Sequence, residues 1–332
     1  MTMGALAVAA MMMGQSAPTA PAAPPPPPEP PQGEVIADGV WMLKGDLGRG
    51  RQPDGNSVVF QTAEGLVVVD TGRHDWHRIG IERLVAEQGG RLAAIVNTHW
   101  HLDHIIGNEA LKQAHPAATV YATGAIEGAE TGFLERSRAS AEQALAAGQV
   151  PANQIEDVRL NLDAMTRLDA LKPDAVVSAD RTLEIGGRRL DLHVTDHAAT
   201  EADIWIYDPA SGVLAAGDLI TLPVPYLDTA CPDGWKAALD QVAAVSFRVV
   251  VPGHGPLMTR ETFDAWHTAF DNLADCAASG SPAAECGAGW ARDAAGFYPS
   301  DRAREGAGAY AAGYVEQVLR APDHRSRFCK AN

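Results

Sequence analysis

Thr98-His99-Trp100-His101-Leu102-Asp103-His104 sets three imidazoles and a carboxylate side by side, between an apolar run, Ala93 to Val96, and a segment with helical patterning, Asp103 to Ala114. The apolar run reads as a buried strand and the motif as the turn that leaves it. At the extended end of a strand, residues two apart face the same way, so His99 and His101 are expected to point together at one ion. Asp103 and His104 fall where the chain turns into a helix and can address a second position beside the first. A strand-to-helix loop at the carboxyl edge of a sheet is also where ligands bind in α/β folds.

Working outward, three more candidate ligands follow strands. His197 comes just after a strand ending at Thr195, Asp218 after Ala215-Ala216-Gly217, and His254 lies in Val251-Pro252-Gly253-His254-Gly255. Taken singly, a histidine after a strand is a loop residue. Three such loops at one edge of a sandwich can converge on the motif.

The rest of the body supports that architecture. Strands are expected over Val35–Leu43, Asn56–Gln61, Leu66–Asp70, Thr119–Ala122, Thr182–Ile185, Arg189–Val194, Ile204–Tyr207, Val213–Ala216 and Arg248–Val251. Val67-Val68-Val69 is continuously β-branched, as in a strand covered on both faces. Helices are expected over His77–Gln88 and Trp235–Val245, and Gly186-Gly187 is a hairpin signal. Residues 125–172 carry Ala, Glu, Leu and Arg without strand patterning, broken at Pro151 and Pro173, and read as a helical insertion of two or three helices. The order fits two similar α/β halves, an αββα four-layer sandwich spanning 34–260, with a helical C-terminal extension over 261–332.

Composition narrows the function. The chain has 332 residues, 46% of them apolar, enough for a sizeable core. Its net charge of −16, with no run of Lys and Arg, disfavours a nucleic-acid partner. Met3 to Met13 is uncharged and apolar but shorter than the roughly 20 residues a spanning helix needs, so stable membrane insertion is not expected. With the small residues that follow, 1–23 reads as a signal peptide, although no Lys or Arg precedes Lys44. Residues 24–33 are a proline-rich linker suited to extended polyproline II. A periplasmic or secreted protein is the expectation, or a cytoplasmic one if the apolar run is not a signal.

The four cysteines, Cys231, Cys276, Cys286 and Cys329, allow three pairings. In an exported protein Cys276 and Cys286 would close a short loop and leave Cys231 with Cys329; the alternative is four free thiols. His74, Trp76 and His77 either line a cleft or are solvated loop residues. His115, His193, His267 and His324 read as structural or surface groups.

HxHxDH, then His197, then Asp218 in a Gly-Asp step, then His254 in a Pro-Gly-His-Gly step, resembles the metallo-β-lactamase superfamily in order and interval, over roughly Val35 to Pro256. Val67 to Gly72 resembles the strand that precedes the metal motif in that family. The resemblance implies that His99, His101 and His197 bind one metal, that Asp103, His104 and His254 bind a second, and that Asp218 bridges the two. Asp70 would fix the loop that presents the ligands. Two departures stand out. Ile106 and Gly107 occupy the places of two family glycines, and Asp196-His197-Ala198-Ala199-Thr200 replaces a Gly-His-Thr-Pro-Gly step.

Such a ligand set keeps a net positive charge around two divalent ions, favouring an anionic small-molecule substrate. Zinc is the default for His and Asp ligands, although no thiolate selects it over iron or manganese. Ions about 3.5–4 Å apart lower the pKa of bound water from about 15.7 to about 7, which implies a bridging hydroxide attacking the carbonyl of an ester, lactone, thioester or amide, with Asp103 orienting it. An aspartate at position 218 resembles glyoxalase-II-like and quinoprotein-relay-type members, while expected export points to β-lactams. Alternatives are a phosphodiesterase, which the charge opposes, and an exported, non-catalytic metal-binding module. The oligomeric state is not legible.

Overall fold

The computed structural model describes residues 28–45 and 50–329; the expected signal segment and the first prolines of the linker lie outside them. Pro31 and Gly33, at the linker's end, lie against the first helix: the Pro31 carbonyl occupies space a Cβ on Gly80 would need, and Gly33 abuts Leu84.

Glu34–Ala37 (β1) and Val40–Leu43 (β2) pair antiparallel around Gly39, at φ 60°, where the alternation predicts one continuous strand. The turn needs the left-handed region that glycine enters without cost. Ser57–Thr62 (β3) and Gly65–Val69 (β4) follow, then Asp75–Glu87 (α1) and Leu92–Val96 (β5). The expected helix 103–114 is two, Leu102–Ile105 (α2) and Gly107–Ala114 (α3). The cause is tertiary: the Gly107 amide donates to Gly72 O, and Asp103 O accepts from Gly55 N, so the i→i−4 bond that would join the two is spent elsewhere. Thr119–Ala122 (β6) is as expected.

The insertion holds Ala125–Ala129 (α4), which runs through a π-helical turn at Glu130–Leu134 into Glu135–Ala146 (α5), and then Ile155–Met165 (α6). It ends in Ala175–Val176 (β7), an edge strand too short to leave a sequence pattern. The second half runs Arg181–Ile185 (β8), Arg188–Asp196 (β9), Ala202–Asp208 (β10), Val213–Gly217 (β11), Pro232–Ala244 (α7) and Val249–Pro252 (β12). The tail is Arg260–Ser279 (α8), Ala283–Asp293 (α9), Asp301–Tyr314 (α10) and His324–Phe328 (α11).

The strands form a seven-stranded sheet, β1 to β7 in sequence order, and a five-stranded sheet ordered β12-β11-β10-β9-β8. Side-chain parity sorts the layers. Val58, Phe60, Val67 and Val69 meet Leu190, Leu192, Ile204, Ile206 and Val213 between the sheets, while Val59, Leu66 and Val68 face outward to Ile81, Leu84 and Val85 of α1 and Leu111 of α3. On the far side, Trp205 and Leu214 pack on Trp235 and Leu239 of α7 and Trp266 of α8. This is the four-layer αββα sandwich, and Val67 to Val69 are apolar throughout because both faces of β4 are buried. Among the described residues no helix is long and apolar enough to cross a membrane.

Disulfides join Cys276 to Cys286 and Cys231 to Cys329, so the four cysteines are not free thiols. The carboxyl ends of β4, β5, β11 and β12 open on one edge, where the two halves are knitted by backbone. Asn56 N donates to Gly253 O at 2.7 Å, its side-chain amide reaches the Pro252 and Gly255 carbonyls at 2.9 Å each, and Ile204 N donates to Thr98 O at 2.7 Å.

Candidate metal centre

At that edge six of the seven predicted ligands face one another around Asp218. Its Oδ2 lies 3.5 Å from His99 Nε2 and 3.6 Å from His101 Nδ1; its Oδ1 lies 3.1 Å from His104 Nε2 and 3.5 Å from His254 Nε2. Asp103 Oδ2 stands 3.1 Å from His254 Nε2. Two groups have ligand atoms close enough to share an ion, His99 with His104 and Asp218, and Asp103 with His104 and His254. His104 thus stands in both, between the positions the family resemblance assigns to separate ions. His197 is in neither group. It sits at the start of the loop after β9, with φ 52°, and its Nδ1 lies 2.9 Å from Phe328 O.

Surrounding bonds decide which nitrogen of His99, His101 and His104 faces the centre; the outer Nδ1 of His254 has no partner. Asp70 holds an unusual φ of 57°, which turns its carboxylate back onto the motif. Its Oδ1 accepts from Thr98 N at 2.8 Å and its Oδ2 from Thr98 Oγ1 at 2.7 Å. The same Oδ2 accepts from His104 Nδ1 at 2.8 Å. Because the Thr98 hydroxyl proton is given to Asp70, Thr98 Oγ1 is an acceptor for His99 Nδ1, 2.9 Å away. His99 therefore presents an Nε2 lone pair inward, and His104, with Nδ1 committed to Asp70, turns its Nε2 the same way. Thr229 Oγ1 gives its proton to Ala199 O, leaving it to accept from His101 Nε2 at 3.0 Å, so His101 presents Nδ1 instead.

Acceptors facing acceptors across a buried space repel unless cations lie between them. His99 Nε2 and Asp218 Oδ1 are buried without a hydrogen-bond partner, a costly arrangement in a folded protein and the one expected where the missing partner is a metal ion. The donor set, imidazole and carboxylate with outer bonds that fix each ring, suits divalent transition metals. Electrostatics separate the rings: burial opposes a charge on His104, but the Asp218 and Asp70 carboxylates outweigh it and raise its pKa well above the usual imidazole range, so this ring takes up a cation by releasing a proton. Burial, with His104 and His101 beside it, holds the His99 imidazole down to about 4, so the ring is a neutral ligand. Burial disfavours ionised Asp103, but Arg73 and the neighbouring imidazoles of His254 and His104 outweigh it and keep the carboxyl well below its usual range. Asp218 is likewise held ionised against burial by His104, His254 and His99.

Several supporting residues carry no sequence signal. Arg73 sits after the Gly72 turn and places Nη2 3.4 Å from Asp103 Oδ1. Asn56 joins the two halves beneath the site, and Tyr226 sets its ring 5.3 Å from that of His254. Only Thr98, adjacent to the motif, was within reach of a local reading. His74 and His77 neither line a cleft nor lie in solvent: both are buried. His74 bridges Asp54 (2.8 Å) and Asp157 of α6 (3.2 Å), and Trp76 Nε1 donates to Asp54 at 3.1 Å. His77 Nε2 meets Ser57 Oγ at 2.8 Å, and that hydroxyl donates to Asp70 O at 2.7 Å. These groups brace the strand end that carries Asp70. His193 stacks on Trp205 at 3.9 Å, in keeping with a structural part.

The chain belongs to the metallo-β-lactamase superfamily, whose family model matches residues 50–254. Among solved structures it is similar to a metallo-β-lactamase from Pontibacter korlensis, with 20% identity and a TM-score of 0.51 over 72% of this chain and 96% of that one. The DIM-1 metallo-β-lactamase is similar at 17% identity and a TM-score of 0.52, over 74% of this chain and 98% of that one. At such identities the likeness is one of fold. No curated protein matches the sequence.

Proposed function

We propose that the protein is a binuclear metal-dependent hydrolase of carboxylic esters, lactones, thioesters or amides. The observation that carries this is the convergence of His99, His101, Asp103, His104, Asp218 and His254 with their ligand atoms turned toward one space. His99, His101 and His197 with Asp218 would hold one ion, and Asp103, His104 and His254 with Asp218 the other; His104, placed between the groups, can serve either. Two divalent ions there, zinc by default, would supply a water that ionises near pH 7 and would polarise a carbonyl oxygen.

The chain's own part is orientation. Asp70, through Thr98 and His104, and Thr229, through His101, fix the rings so that no reorganisation is needed during reaction. Arg73 keeps Asp103 ionised and aimed, so its carboxylate is available to orient an attacking water or take its proton. The similar solved structures are metallo-β-lactamases, which makes β-lactams candidate amide substrates. Aspartate at position 218 and the net charge of −16 favour small anionic carbonyl substrates over nucleic acid. Screening nitrocefin, aryl esters, lactones and S-lactoylglutathione, with elemental analysis of protein purified without added metal, tests the reading. His101→Ala and Asp218→Ala should abolish turnover in folded protein. Metal bound with silence on every substrate would instead favour a non-catalytic binding module.

A further inference from the structure

The family match ends at residue 254, yet the C-terminal extension returns to the metal edge. Helix α11 is fastened there by independent ties. Cys329, just beyond it, is disulfide-bonded to Cys231 at the start of α7. His324 Nε2 bonds Ala230 O at 2.8 Å, and Arg325 pairs with Asp233. The same turn of α7 holds the His197 loop: Cys231 N donates to Ala198 O at 2.9 Å, and a Cβ on Gly234 would fall 1.9 Å from His197 O. Only glycine there lets the two backbones touch. At the centre of this junction His197 Nδ1 lies 2.9 Å from Phe328 O.

A backbone carbonyl only accepts, so His197 must donate Nδ1–H to it, and its one remaining lone pair is on Nε2. This is the outer bond that metal-ligating histidines characteristically make. We propose that the C-terminal turn is a positioning element of the metal centre: stapled through Cys231–Cys329, it places the Phe328 carbonyl so that His197 is held as an Nε2 ligand. The inference rests on the reading of His197 as a ligand in the proposed function, and it explains how a loop lacking the family's Thr-Pro-Gly step keeps its histidine in one orientation.

The test is Cys231→Ser/Cys329→Ser in the full chain. Imidazole ¹⁵N shifts of His197, read without metal, should show a single Nδ1–H tautomer in the wild type and tautomer exchange in the variant. Zinc affinity, measured by chelator competition, should fall about 10- to 100-fold at one site. His197→Ala should cause a similar fall, and adding the cysteine changes to it should cost nothing more, because a shared cause is not additive. If the cysteine variant fails to fold, Cys276→Ser/Cys286→Ser protein with its remaining disulfide reduced in the native state serves in its place. Unchanged tautomer and affinity without the disulfide, or an equal further loss when His197 is already alanine, would overturn the proposal. A fixed wild-type tautomer with no zinc affinity would overturn the proposed function instead, and the role of the turn in a metal centre with it.

Discussion

Arg73 Nη2 stands 3.4 Å from Asp103 Oδ1, both side chains nearly removed from solvent. Asp103 lies in the first turn of α2, and Arg73 follows the strand end at Asp70, so the ion pair ties the loop that braces the motif to the motif itself. A buried pair of this kind loses heavily when one partner is removed, because the other is left uncompensated. Arg73→Met should therefore weaken zinc binding about 10- to 100-fold. Arg73 helps hold Asp103 ionised, so its loss raises the carboxyl pKa and protons compete with metal at higher pH. The acid limb of a zinc-binding curve should move upward in the Arg73→Met variant, with partial recovery in Arg73→Lys, which keeps charge but not the planar fork. An unmoved limb would show that the pair is incidental.

Asp70→Asn isolates the outer carboxylate. Asparagine tolerates the left-handed backbone, so the φ of 57° at this position remains accessible and the turn should survive. The amide has one oxygen: if it accepts from the Thr98 hydroxyl and His104 Nδ1 as Oδ2 does, its NH2 is forced against Thr98 N, which donates to Oδ1 in the wild type. We expect metal affinity or turnover to drop about 10- to 100-fold with a small change in melting temperature. A large loss of stability with intact affinity in the surviving folded fraction would assign Asp70 to the fold alone.

Removing metal should destabilise the protein. Without cations, the carboxylates of Asp103 and Asp218 and the inward nitrogens of His99, His104 and His254 crowd one buried space, with His99 Nε2 and Asp218 Oδ1 left without a partner. Ions that bind the native state alone stabilise it by about 2.7 kcal/mol at a hundred times Kd. Thermal unfolding in chelator and across a zinc titration should show a melting temperature that climbs with free zinc. A flat response would speak against a preformed site.

The buried cluster around His74 gives a pH-dependent stability. Burial alone would lower the His74 pKa, but the bonds to Asp157 and Asp54 outweigh it and raise it above 6.5. Burial would raise both carboxyl pKa values, and the bonds from His74 overcome it and lower them. A raised imidazole pKa contributes stability that is fully present below the unfolded value near 6.5 and is lost as pH climbs through the folded value. The lowered carboxyl values contribute stability present above about 4 and lost as pH falls through them. The cluster is thus strongest between these limits. His74→Asn leaves two buried carboxylates without their shared cation, and urea unfolding near pH 6 should show a loss of roughly 3 kcal/mol. That loss should shrink in alkali, where wild-type His74 is neutral as well; a difference independent of pH would mean that His74 is uncharged throughout.

The four-layer sandwich was readable because apolar parity is local. Val58 and Phe60 alternate with Val59 in the chain itself, and alternate residues of a strand must face opposite sides. The motif from His99 to His104 was readable because its members lie within one turn of chain after a strand. The split of the expected helix at Ile106 was not, since it arises when Gly72 and Gly55 claim backbone bonds from across the fold. The same holds for His74 and His77, whose partners Asp157 and Ser57 lie 83 and 20 residues away in sequence.

What the chain's order of residues determined by itself, then, is the layering, the types of the candidate ligands and the edge at which six of the seven gather. Tertiary structure alone decided which nitrogen each imidazole offers, because that depends on the acceptor behind it: Asp70 for His104, Thr98 for His99, Thr229 for His101 and the Phe328 carbonyl for His197. A side chain's type can be read from sequence, but its proton is placed by a neighbour, and three of these four neighbours reach the histidine only through the fold.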